Sequence, residues 1–375
     1  MAAVMMTALT VAASAASRGS GNFPCTIPSG IPPEPASNVS ALHPAHISLV
    51  MAYGDSITAA FSARSTLFEA RDISWAIGVG KDSQLTLPWL LGQYRASTAA
   101  GKATPLEGMS TKPVIPYDIT HLPHNDYHPK TDHLNFAESS GAVHRGSLDE
   151  QWGFTLKQIQ NYPDFDDRWK MVTLWMTAND VCGECTDSVA DNGLLKKWSK
   201  GVDQFLTNIT STTKKMYINL IGTFPLSNVA RVQRASTECS IEHRIIDECG
   251  CIDRGNATEL ARMDSNTVIL NTELANLSKT WSANLRADGR DDVAVVYHDF
   301  MAAGDIGGEL VRDDLSELDC FHPSARAHQA LAAGLWDSIV CPGDRADGLI
   351  CGKKPTITSA VPECPSAFTT LWVPN

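Results

Sequence analysis

Ile47-Ser48-Leu49-Val50-Met51-Ala52-Tyr53-Gly54-Asp55-Ser56-Ile57-Thr58 joins an apolar run to a polar turn through one glycine. The run from Ile47 to Tyr53 is short and ends at Gly54, as expected of a strand buried on both faces. Similar runs recur at 169–176, 216–222 and 293–297, with a shorter candidate at 134–137. Between them lie segments with helical spacing, at 83–95, 147–161, 190–211, 258–286 and 323–339, each long enough to cross back over a sheet. Strands alternating with helices predict an α/β fold around a central parallel sheet. Ligand sites in such sheets lie beyond the carboxyl ends of the strands. Chemistry is therefore to be sought where the apolar runs stop.

Directly after the first run, Gly54-Asp55-Ser56-Ile57-Thr58 sets a serine on a tight turn. Its hydroxyl there faces substrate, and its own N–H can point at a developing oxyanion if a helix begins at that place. The same pentapeptide also suits a turn that merely caps a helix. After the run at 169–176, Asn179-Asp180 offers a side-chain NH₂ to the same oxyanion, or a simple turn. Near the carboxyl end, Asp319-Cys320-Phe321-His322-Pro323 places an aspartate three residues before a histidine. Such a carboxylate can curl back onto one ring nitrogen, fixing the tautomer and leaving the other nitrogen to take a serine proton. A lone surface histidine is the ordinary alternative. The ordered set of Ser, Asn and Asp/His, each beside an apolar run, argues for chemistry instead.

GDSITAA at 54–60, the Asn-Asp pair and DCFHPS at 319–324 resemble blocks I, III and V of the GDSL (SGNH) hydrolases. RDISWAIG at 71–78, TLPWLL at 86–91 and DCFHPSARAHQALAAGLW at 319–336 are similar to the phospholipase B branch of that superfamily. The resemblance spans roughly residues 47–340. It implies a single-domain, flavodoxin-like α/β/α sandwich of three layers. It also implies Ser56 as nucleophile, His322 as base and Asp319 as its orienting partner, with the Ser56 N–H, Gly141 and Asn179 forming an oxyanion hole. The reaction implied is two-step acyl transfer through an acyl-serine, with no metal or organic cofactor. The implied substrate is an ester, foremost a phospholipid or lysophospholipid met in transient contact with a lipid surface. A short-chain carboxylesterase or carbohydrate deacetylase is the alternative on the same fold, because the loops set the substrate. A non-catalytic binding protein is the competing reading from another class.

Three positions depart from the family pattern. Ala60 stands where block I usually has Gly, and Thr177 stands where block III usually begins with Gly. A β-branched residue at 177 is expected to narrow the site or shift Asn179. Block II usually has Gly five residues after its Asn, but Asn135-Phe136-Ala137-Glu138-Ser139-Ser140-Gly141 puts it six residues on. Either one residue is inserted or Ser140 takes the position.

Composition places this chemistry in a compartment. Residues 1–17 carry no charged side chain and end in small residues, as a signal peptide does. A Pro-rich arm follows at 18–46, then the hydrolase domain at 47–340 and a Cys/Pro-rich tail at 341–375. Ten cysteines allow up to five disulfides and suit an oxidising compartment. Sequons at Asn38, Asn208, Asn256 and Asn276 agree with secretion. The formal charge of −12 disfavours a grip on nucleic acid, and no later segment approaches the roughly 18 apolar residues that span a bilayer. Cys182-Gly183-Glu184-Cys185 reads as structural: the two cysteines pair with each other, brace the loop behind Asn179, or bond elsewhere. The histidines at 121, 124, 128 and 133 match no strong zinc spacing and read as a polar loop near block II. Trp75, Trp89, Trp152 and Trp175 read first as core.

Overall fold

The computed structural model describes residues 23, 25–31, 36–81, 84–95, 105–114, 127–237, 239, 248–301, 310–340 and 362–373. The expected leader at 1–17 lies outside them, as do His121, His124, Cys341 and Cys351. Four of the apolar runs become strands: β1 (Ile47–Gly54), β2 (Trp169–Trp175), β3 (Met216–Ile221) and β4 (Val293–His298). They lie parallel in the order β1-β2-β3-β4. All their residues are buried except the half-buried Tyr297, which is why they read as unbroken apolar runs and do not alternate.

The run at 134–137 falls short of a strand. It makes one parallel bridge to β1, with the Ala52 N–H donating to Leu134 O at 3.1 Å and the Phe136 N–H to Ala52 O at 2.9 Å. The ladder ends because the chain then turns, the Glu138 N–H going to Gly54 O and the Gly141 N–H to Glu138 O. β1 is thus flanked by this segment on one edge and by β2 on the other. The chain reverses its order across the sheet at β1, which places the switch point, and the crevice it opens, at the Gly54 end of that strand.

Eight helices position the site: α1 (Ser56–Ala59), α2 (Leu87–Arg95), α3 (Ser147–Gln158), α4 (Ala178–Val181), α5 (Leu194–Thr212), α6 (Ser227–Ala235), α7 (Ala257–Ala287) and α8 (Ala325–Val340). Three begin later than hydrophobic spacing predicts. In each case a side-chain oxygen takes an early amide: Thr86 from Trp89, Asn192 from Leu194 and Ser324 from Ala327. α7 opens with a full capping box between Asn256 and Glu259.

Strand register assigns the layers. Tyr53 aligns with Leu174 and Leu220, while His298 aligns with the neighbouring Ile221, so Tyr53 and His298 lie on opposite faces. The Tyr53 face meets α3 through the Thr155 hydroxyl at 2.7 Å and α5 through the Phe205 ring at 4.6 Å. The other face meets α8, where Ser338 Oγ lies 2.9 Å from His298 Nδ1. α2 joins that layer by stacking Tyr94 on Trp336. The result is an α/β/α sandwich. Trp75 and Trp175 are buried and meet edge to face at 5.6 Å inside it.

Residues on either side of the sheet's sequence span pack onto it. Two 3₁₀ turns, Val39–Ala41 and Pro44–His46, bury Leu42 and Ala45. The Leu371 N–H donates to Leu42 O, the Trp372 N–H to Ile339 O, and the Trp336 indole to Glu363 O. Cys25 and Cys364 are joined by a disulfide.

Candidate active site

β1 stops at Gly54 because nothing larger fits there. A Cβ would lie 2.3 Å from Thr58 Oγ1 and 2.6 Å from the Trp175 carbonyl. Gln151 on α3 holds this residue at both ends, accepting its N–H at 3.1 Å and donating to its carbonyl at 2.8 Å. Asp55 caps α1 by accepting the Ile57 N–H at 3.0 Å. Ser56 is the first helical residue, where an N–H has no intrahelical partner. Ala60, at the family's usual glycine, adopts a left-handed φ of 60° and packs its methyl among Ala63, Ala70 and Ile73. The turn that carries Ser56 therefore forms without that glycine.

The Asp319-to-His322 turn closes against Ser56. Asp319 Oδ1 accepts the backbone N–H groups of Phe321 (2.9 Å) and His322 (3.0 Å), while Oδ2 lies 2.8 Å from His322 Nδ1. His322 Nε2 lies 2.8 Å from Ser56 Oγ. All three residues are buried, and the Phe61 and Phe321 rings meet the imidazole edge to face. Burial alone would raise the Asp319 carboxyl, yet the His322 charge and these hydrogen bonds hold it below the usual carboxylate range. Burial alone would likewise depress His322, but the carboxylates of Asp319 and Glu248 push it up to about 9. For Asp55 burial wins, and its carboxyl is pushed up to about 7.

Asn179, on α4, is half-buried. Its Nδ2 donates to Gly141 O at 3.0 Å and keeps a second hydrogen. Asp180 fixes the same loop by accepting the N–H groups of Val143 (3.1 Å) and His144 (2.9 Å) and lying 2.7 Å from His144 Nδ1. Thr177 has a negative φ of −151°, outside the left-handed region that favours glycine, and Asn179 still reaches Gly141. Gly141, expected as an oxyanion donor, sits at the end of the block II turn. Its N–H is already engaged at 3.0 Å by the Glu138 carbonyl, closing a turn around Ser140 at φ 63°. A Cβ at 141 would lie 2.9 Å from that carbonyl and 3.2 Å from Met176 Cε, so this glycine serves close packing.

Sequence reasoning missed the supports behind these groups. Arg71, buried inside the RDISWAIG stretch, donates to Glu69 at 2.7 Å and to the carbonyls of Asn135 (3.1 Å) and Ala137 (2.7 Å). Glu69 in turn accepts from Ser139 Oγ at 2.5 Å. An ion pair thus holds the loop that leads to Ser140. Glu248, whose Oε2 lies 4.0 Å from His322 Nδ1, was missed as well. The CxxC cysteines bond elsewhere, Cys182 to Cys249 and Cys185 to Cys251, and Cys239 pairs with Cys320. Of the histidine cluster, the exposed ring of His128 lies 3.6 Å from the buried Asp132.

A serine, an imidazole and a carboxylate in one hydrogen-bonded line, at the carboxyl edge of a parallel sheet, define a serine ester hydrolase on an α/β/α scaffold. The chain belongs to the GDSL-like Lipase/Acylhydrolase family, whose profile matches residues 50–335. It is similar to the proteins named "Phospholipase B1, membrane-associated" of Rattus norvegicus and Homo sapiens. Identity is 26% over 89% of this chain for the rat protein and 23% over 82% for the human one. The chain spans only about a fifth of the length of these relatives, 21% and 20% respectively.

Proposed function

We propose that this protein hydrolyses the carboxylic esters of phospholipids or lysophospholipids, with Ser56 as nucleophile, His322 as general base and Asp319 as its orienting partner. The carrying observation is the unbroken line from Ser56 Oγ through the imidazole to Asp319, with both links at 2.8 Å. Ser56 Oγ bonds the ester carbonyl carbon as its proton passes to Nε2. The imidazolium then protonates the leaving alcohol, and water, deprotonated by the same nitrogen, releases the acid. The oxyanion is met by the Ser56 N–H, the second Asn179 Nδ2 hydrogen and the Ser140 N–H, which makes no hydrogen bond among the described residues.

Two observations support a lipid substrate. The phospholipase B1 relatives are one. The other is a hairpin that leaves α1 through Phe61 and returns at Glu69, exposing Leu67 and Phe68 beside a ring that touches His322. Those two side chains are suited to transient contact with a lipid surface. The four disulfides Cys25–Cys364, Cys182–Cys249, Cys185–Cys251 and Cys239–Cys320 support action in an oxidising, extracellular setting. No helix among the described residues is long and apolar enough to cross a membrane.

The test compares wild type with Ser56→Ala on lysophosphatidylcholine and on a short-chain p-nitrophenyl ester. Cleavage of both by wild type and of neither by the variant is the expected result. Activity on the short ester alone would move the substrate to a soluble ester. A fully active Ser56→Ala would overturn the mechanism.

A further inference from the structure

Of the four disulfides among the described residues, three tie Cys239, Cys249 and Cys251 to the turns that carry Asn179 and His322. Cys182, three residues after Asn179, pairs with Cys249, and Cys185 pairs with Cys251. The Cys251 N–H adds a backbone bond of 3.1 Å to the Cys182 carbonyl. Cys320, between Asp319 and His322, pairs with Cys239. Glu248 directly precedes this double clamp, and its carboxylate lies 4.0 Å from the ring nitrogen that Asp319 already bonds. Its side chain is 19% exposed, so water screens it only in part.

We propose that Glu248 is a positioning residue that acts through His322, a second carboxylate clamped beside Asp319 to stabilise the imidazolium formed as Ser56 is acylated. The inference rests on the ester-hydrolase reading above. In that step the Ser56 proton moves to Nε2 and the ring gains one positive charge; Glu248 supplies attraction to that charge and exchanges no proton. Among the described residues, the other ionisable groups that act on the charge of the ring are Asp55 on the nucleophile turn and His328 on α8. Glu248, Asp319 and His322 bring their polar atoms within 4.8 Å of one another. Both ring nitrogens are already committed, one to Asp319 and one to Ser56, so the cluster serves the imidazole and leaves no lone pair on it for a cation.

Glu248→Gln keeps the shape and removes the charge. Opposite charges at this separation shift a titration by about one to three pH units, and partial exposure favours the lower end. The acid limb of kcat/KM on a soluble short-chain ester should therefore move down by about one pH unit. The plateau should fall severalfold, and Glu248→Asp should restore part of both. NMR titration of the His322 ring should show the same downward shift without any turnover. An unmoved limb and an unmoved titration, even with a lower rate, would reduce Glu248 to a structural role and overturn the inference. If wild type cleaves no ester, the proposed function fails, while the NMR titration still decides whether Glu248 acts on His322.

Discussion

At the residue scale the site is a competition between burial and charge. In the mechanism proposed above, His322 takes the serine proton only when its ring is neutral, and its pKa is pushed up to about 9 because Asp319 and Glu248 outweigh burial. The fraction of neutral ring therefore rises with pH until it passes that value. kcat/KM is expected to climb through neutral pH and level off on the alkaline side. A wild-type rate profile that levels off at or below the ordinary imidazole value of about 6.5 would show that the two carboxylates do not govern the base. The meeting of Ser56, His322 and Asp319 was legible in the sequence because each lies in a short motif beside an apolar run. The block II turn was not. The extra residue in Asn135-to-Gly141 is absorbed by a left-handed Ser140, a choice fixed by where the Glu138 carbonyl lies and not by the residue types.

At the scale of elements, the block II loop stays in place through a buried cation. Arg71 lies between the loop carbonyls and Glu69, with Asp132 a further 3.6 Å from its guanidinium. Arg71→Met would leave two buried carboxylates without their partner, a loss on the order of 3–5 kcal/mol for such pairs. Urea unfolding should show that destabilisation. Arg71→Lys keeps the charge but cannot reach three acceptors with one ammonium. It is expected to stay folded and to lose roughly tenfold or more in kcat with little change in KM, because misplaced donors weaken the transition state. Unchanged kcat in the lysine variant would show that the ion pair holds the fold and not the oxyanion loop. Strands were easier to read than this loop: full burial on both faces makes each an apolar run, whereas 134–137 has the same composition and stops at one bridge because its neighbours turn. Helix starts shifted for a similarly local reason, a hydroxyl or amide oxygen taking one early N–H.

At the scale of the whole molecule, the cross-links divide into two groups with different duties. Three lie around the site and join 239–251 to the Asn179 and His322 turns. The fourth, Cys25–Cys364, joins residues 339 apart in sequence. It secures segments packed against Leu42 and α8, and the adjoining Trp372 carbonyl accepts from Tyr217 near the start of β3, at the end of the sheet away from Ser56. Sequence could count the cysteines but not pair them, because pairing depends on which distant segments the sheet brings together. Closing so long a loop removes chain entropy from the unfolded state, worth about 6 kcal/mol where native geometry is relaxed. Replacing both Cys25 and Cys364 by alanine should therefore lower the thermal midpoint by roughly 5–10 °C. kcat/KM on a soluble ester below that midpoint should stay at the wild-type value, since Ser56, Asn179 and His322 are held by other contacts. A large drop in kcat/KM at unchanged stability would mean that the two ends of the described chain help shape the site itself.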